Sequence, residues 1–138
     1  MSEPVPLSTP VGELYGRSVD LEQVVLSCYP LELQVRCHVW RTGASVPCEV
    51  RFFGVIGVRV DELDFSEFPG RASFAEIPES PWLAQCRAHD HSRKVLAEHR
   101  HIALRTYDDV IEVLCTGYEI VPGVAQVDSM EEEGPCPE

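Results

Sequence analysis

A chain of 138 residues with 44% hydrophobic content and 8% aromatics can bury the core of one ordinary domain. Eleven Lys and Arg against 23 Asp and Glu leave a formal charge of −12, a field that repels phosphate backbones and anionic lipid headgroups and attracts basic surfaces. Nucleic acid and membrane are therefore excluded as expected partners.

Along the chain, residues 1–12 hold three prolines and little periodicity, and the first residues "MSEPVPLSTPVGE" lack the basic and then apolar order of an export signal. A flexible N-terminal segment (1–12) and a cytoplasmic location are expected. The run "DLEQVVLSCYP" closes on Pro30 and reads as a short edge strand, with the stretch near Val24 free to pair with a second copy in a homodimer. In "LELQVRCHVW", Leu31, Leu33, Val35, Cys37 and Val39 alternate with Glu32, Gln34, Arg36 and His38, the period of a half-buried strand. After the turn-rich "RTGASVP", the segment "CEVRFFGVIGVRV" places Val50, Phe52, Ile56, Val58 and Val60 on one face, which makes a hairpin with the preceding strand. Gly54 and Gly57 predict a bulge, a bend or a close approach within its second arm.

The stretch "DELDFSEFPGRASFAEIPES" reads mainly as loop, with one short strand around Ala72 to Ile77. Ser80 before Pro81 and "WLAQCRAH" carries the N-cap and first-turn proline of a helix whose inward stripe is Trp82, Leu83 and Cys86. "HIALRTYDDVIEVLCTGYEIV" predicts a second hairpin turning at "YDD". Its second arm is apolar on both faces and hence central. Residues 13–123 form the expected single β-rich domain, and 124–138, ending "VDSMEEEGPCPE", an acidic flexible tail. The expected fold is mainly β, at the border of α+β: an antiparallel sheet of about five to six strands, open to curvature, with one short helix packed on it.

Catalytic patterns are missing. There is no G-x-S-x-G elbow and no phosphate-cradling glycine loop, and Gly54 and Gly57 sit within a strand instead of opening a helix. The adjacent Asp108 and Asp109 face different ways on a hairpin tip and read as turn residues. Asp61, Glu62, Asp64 and Glu67 lack the order of a calcium loop. The six cysteines read as reduced thiols without disulfides: Cys28, Cys37, Cys48, Cys86 and Cys115 lie in or beside apolar segments and pack like small hydrophobes, while Cys136 in the Pro-rich tail is expected to be exposed. No cofactor is expected.

Two surface readings remain. If Asp61, Glu62, Asp64, Glu67, Glu76 and Glu79 gather around Phe65, Phe68 and Phe74, the result is a negative field holding aromatic anchors, suited to a basic protein partner. The rival is a metal group built from Cys86, His89, His91, His99 and His101, since residues 86–101 hold four of the five histidines. Thiolate pairs at Cys86 with His89 or Cys115 with His101 are conceivable too, as is a small-molecule pocket between sheet and helix lined by Trp40, Phe52 and Trp82.

The stretches "CEVRFFGVIGVRVDELDF" and "HIALRTYDDVIEVLCTGYEI" resemble paired blocks of small β-rich immunity proteins from bacterial polymorphic-toxin systems, closest to the immunity protein 50 group. The resemblance covers roughly the middle two-thirds of the chain and rests on an F-x-G-V strand followed by a helix and a C-terminal hairpin. It implies a non-enzymatic protein that binds and silences a cognate toxin, often one with a basic active surface. It carries over no catalytic residues, and the cysteine and histidine content departs from the pattern.

Overall fold

The computed structural model describes residues 4–10, 14, 19–41, 44–65, 72–123 and 126–127. Among these the chain runs β1 (Val5–Pro6), β2 (Val19–Ser27), β3 (Glu32–Arg41), β4 (Ala44–Phe53) and β5 (Gly57–Glu62), then a 3-10 turn at Leu63–Phe65 and β6 (Phe74–Glu76). It continues through α1 (Pro81–Ala88), β7 (Arg100–Arg105), β8 (Asp109–Cys115), β9 (Gly117–Pro122) and β10 (Gln126–Val127). The fold is mainly β and antiparallel, with the single helix where Ser80 and Pro81 predict it. The strands form two sheets, not the one expected. The first has the order β1-β6-β7-β8-β5; the second runs β2-β3-β4, with β9 and β10 sharing the outer side of β4.

The local pattern explains the second sheet. Leu33, Val35, Cys37 and Val39 of β3 are all buried, and their register partners Phe52, Val50, Cys48 and Val46 on β4 lie on the same face. β2 forms the free edge of this sheet among the described residues, as its sequence suggests. Pro47, inside β4, is tolerated because β9 pairs only up to Cys48 and β10 only from Ser45, so its missing N–H falls where the outer neighbour changes.

A second sheet exists because two predicted strands each break. "CEVRFFGVIGVRV" does not continue straight: β4 ends at Phe53 in one sheet and β5 begins at Gly57 in the other. The strand-like C-terminal run divides in the same way, β8 ending at Cys115 and β9 starting at Gly117. The two crossings are bonded to each other. The Thr116 backbone N–H and hydroxyl both donate to the Phe53 carbonyl, at 2.9 and 3.2 Å, and the Ile56 N–H donates to the Leu114 carbonyl at 2.9 Å. Gly54 makes the turn at φ +62°, where a Cβ would stand 2.3 Å from the Thr116 Oγ1. Of the β5 residues expected to continue the inward face of Val50 and Phe52, Val58 packs against the same core from the other sheet, whereas Val60 is half exposed on the edge strand.

Between the sheets lies one core, in which Val35, Val50 and Phe52 meet Phe74, Ile102, Leu104, Ile111 and Val113. Phe74 stacks edge-on to Tyr118 of the opposite sheet with ring centroids 5.0 Å apart, a contact worth about 1 kcal/mol beyond area burial. β7 and β8 are buried on both faces, as the apolar second arm predicts. Two pieces of the segments expected to be flexible take part in the sheets: Val5 pairs with Glu76, and Gln126 with Ser45.

The crossing yields a stability prediction. Gly54→Ala must displace Thr116 and hold an L-residue at positive φ, so it should cost about 2 kcal/mol or more in urea unfolding. Gly117→Ala, with nothing within 4 Å of the added Cβ, should stay within about 0.5 kcal/mol of wild type.

Candidate functional site

Antiparallel register assembles the acidic surface. Asp61 and Glu62 on β5 stand opposite Val110 and Asp109 on β8, and the Leu63 N–H donates to the Asp108 carbonyl at 2.7 Å. This bond lays the 3-10 turn carrying Asp64 and Phe65 against the β7–β8 turn, which adds Tyr107, Asp108 and Asp109. Phe65 is 81% exposed and Tyr107 45% exposed, on two joined turns that also carry Asp64, Asp108 and Asp109 next to Asp61 and Glu62 of β5. Within this group Asp61 is the member with an ion pair among the described residues, 3.7 Å from Arg59.

The rest of the predicted acidic set goes elsewhere. Glu76 lies on β6, opposite Ile102 at the other end of β7, and is bridged to Arg100 at 3.2 Å. Glu79 precedes the helix next to Ser80, whose partner His101 is also at that end. Phe74 is a core residue, 1% exposed. Glu67 and Phe68 lie outside the described residues. Tyr107, Asp108 and Asp109 were read only as a turn, because their proximity to Asp61 depends on the β5–β8 pairing, which no local pattern specifies.

The histidines and Cys86 are not brought into one metal-binding group. His99 donates from Nε2 to the Gly54 carbonyl at 2.8 Å and accepts the Leu96 N–H at Nδ1, also at 2.8 Å. It clamps the sheet crossing. His89 places Nδ1 2.9 Å from the Gln85 carbonyl, one helical turn back. His101 lies on the helix side of β7. Among the described residues no group of three or more His, Cys, Asp or Glu side chains is placed to hold a metal ion.

The thiols are equally dispersed. Cys115 faces the intersheet core while His101 faces α1, so these two form no pair. Burial pushes the Cys115 thiol up to about 11 and the Cys37 thiol up to about 12, with Cys48 and then Glu22 adding to the latter. Both stay protonated and pack as apolar groups. The five described cysteines are free.

A buried polar relay was not anticipated. Ser80 caps α1 by accepting the Leu83 N–H at 3.0 Å and lies 2.7 Å from His101 Nδ1; His101 Nε2 lies 2.7 Å from Glu112 Oε1. Nε2–H donates to the carboxylate, and the serine hydroxyl and Nδ1 share the second hydrogen bond of the ring. The relay is sealed by Trp82, whose ring meets His101 edge-on at 5.3 Å and carries the Arg59 guanidinium 5.3 Å from its centroid. Gly57 is required beneath it, because a Cβ there would come 2.9 Å from the Trp82 ring. Ser, His and Glu are the residue types of a hydrolytic triad, but here the hydroxyl already serves as a helix cap and Ser80 is only 7% exposed. The arrangement fastens the helix to the sheet. Ser80 was legible as a cap; its partners were not.

The pocket expected from Trp40, Phe52 and Trp82 does not form. Trp40 is 44% exposed with its indole N–H on the Asp20 carboxylate, Phe52 is in the intersheet core, and Trp82 lies on the outer face of the first sheet. No described helix is long and apolar enough to cross a membrane.

Among the described residues the protein is thus a two-sheet antiparallel β domain with one helix on the outer face of the first sheet and an end carrying acidic and aromatic residues. Comparisons with family models, curated proteins and solved structures return no match.

The relay sets a pH dependence. The His101 hydrogen bond, opposed by burial and aided by the charges of His101 and Arg59, holds the Glu112 carboxyl below its ordinary 4.5. The stabilisation is complete above that ordinary value and disappears as pH falls through the lower folded-state pKa. The stability gap between wild type and Glu112→Gln in urea unfolding should therefore hold at neutral pH and shrink as the pH is lowered past the ordinary 4.5. His101→Leu, which strands both neighbours, should cost about 3 kcal/mol at neutral pH.

Proposed function

We propose that this protein is a non-enzymatic binding module that docks a basic protein partner through the end formed by the β5 terminus, the 3-10 turn and the β7–β8 turn. The observation that carries the reading is Phe65, 81% exposed on a turn that carries Asp64 and is bonded to the turn bearing Asp108 and Asp109. Burying a phenylalanine is worth about 1.5–3 kcal/mol, so an exposed one on a structured turn is a ready anchor for a partner surface. The surrounding charge, within a chain of net −12, raises the encounter rate with a basic protein and disfavours acidic competitors. The likeness of two stretches to toxin-immunity proteins suggests the biological form: a cytosolic inhibitor that covers the basic active surface of a cognate toxin.

Partner capture from the source organism, followed by titration of the captured protein, tests this. Phe65→Ala should weaken binding about tenfold or more. Reversing Asp61, Glu62 and Asp64 to Lys should slow association and flatten its salt dependence. Glu76→Gln and Glu79→Gln, which lie apart from this end, should leave affinity unchanged. Equal affinity for wild type, Phe65→Ala and the charge-reversed protein would remove the acidic end from the interface.

A further inference from the structure

A cleft of about 780 Å³ opens between the β2–β3 turn and the loop that follows α1, within the size range of small-molecule sites. Leu31, Val55, Ile56 and Val95 supply apolar wall, and Tyr29, fully exposed at the tip of its turn, stands at the rim. The polar groups are few and distinct in state. Both Asp90 carboxylate oxygens are taken by backbone N–H groups, of Lys94 and Val95, each at 2.8 Å. The Asp90 charge is thereby spent on its own loop. His89 Nδ1 is engaged with the Gln85 carbonyl, leaving Nε2 as its other polar atom. Lys94 lines the cleft and, among the described residues, forms no ion pair. In a chain of net −12, residues 87–94 run the other way, with Arg87, Arg93 and Lys94 against Asp90 alone.

An apolar trough with one uncommitted cation selects a ligand that is apolar over most of its length and anionic at one end. We propose that this cleft binds a small apolar molecule carrying a single carboxylate, its body against Leu31, Val55, Ile56 and Val95 and its head on the Lys94 ammonium. Desolvation of the tail supplies affinity, and the ion pair supplies direction and discrimination against the uncharged analogue. The site is separate from the acidic end and does not depend on the partner proposed there.

Decanoate is a suitable probe, with decanol as its uncharged counterpart and calorimetric titration of the full chain as the measurement. One saturable site for decanoate is expected. Lys94→Gln should weaken decanoate about tenfold and leave decanol unchanged, whereas Lys94→Arg should keep affinity within about threefold. Lys94 is exposed, and the bond its backbone makes to Asp90 does not involve its side chain, so these variants keep the fold. Cys28, an exposed thiol on the same wall, reports occupancy: decanoate should slow its alkylation, followed by peptide mass mapping. Failure of decanoate to saturate, equal affinity for wild type and Lys94→Gln, or unslowed alkylation of Cys28 under saturating ligand would each overturn the assignment.

Discussion

The architecture depends on one carbonyl, that of Phe53. It receives both the backbone N–H and the hydroxyl of Thr116, and it stands where the chain leaves the second sheet for the first, just as Thr116 stands where the chain returns. The two crossings are a matched pair. Each sheet alone would present an apolar face to water, and only strands that change sheet at a common corner can close those faces over one core. Gly54 permits the corner by its positive φ, and His99 secures it from outside by donating to the Gly54 carbonyl. A histidine of the His-rich stretch thus works as a structural clamp.

The corner also fixes where the surfaces lie. Sending β5 to the free edge beside β8 brings Asp61 and Glu62 level with the β7–β8 turn, so acids from two separate parts of the chain meet around Phe65 and Tyr107. The same crossing leaves Gly57 under Trp82, and Trp82 in turn covers the Ser80–His101–Glu112 relay. A buried carboxylate is costly unless it is hydrogen-bonded, and here the His101 imidazole bonds it and is itself held by the cap serine. The loop after α1, with its cations, closes the cleft at the β2–β3 turn. The acidic end and the apolar cleft are therefore separate features of one scaffold.

Much of the secondary structure was readable from local pattern, and the reason differs from strand to strand. β3 shows strict alternation because one of its faces is solvated. β8 shows none because both faces are buried, which correctly marked it as central. The helix start was readable because Ser80 and Pro81 serve orphan amides within a few residues of themselves. The acidic set was read only in part: Asp61, Glu62, Asp64 and Phe65 are neighbours in sequence and in space, whereas Glu76 and Glu79 are near them only in sequence. Asp108 and Asp109 are near them only in space.

The amino-acid sequence by itself determined the mainly β class, the antiparallel hairpins, the site of the helix and the packing of Cys37, Cys48 and Cys115 as hydrophobes, though not the exposure of Cys28. These follow from side-chain period, capping chemistry and apolarity, all of which act over a few residues. Only the tertiary structure decided that there are two sheets, that Glu112 is bonded to His101, that the histidines serve the fold separately, and which acids share a surface. Those outcomes rest on register between strands far apart in the chain, and strand pairing there is selected by the closing of a common core instead of by any local preference.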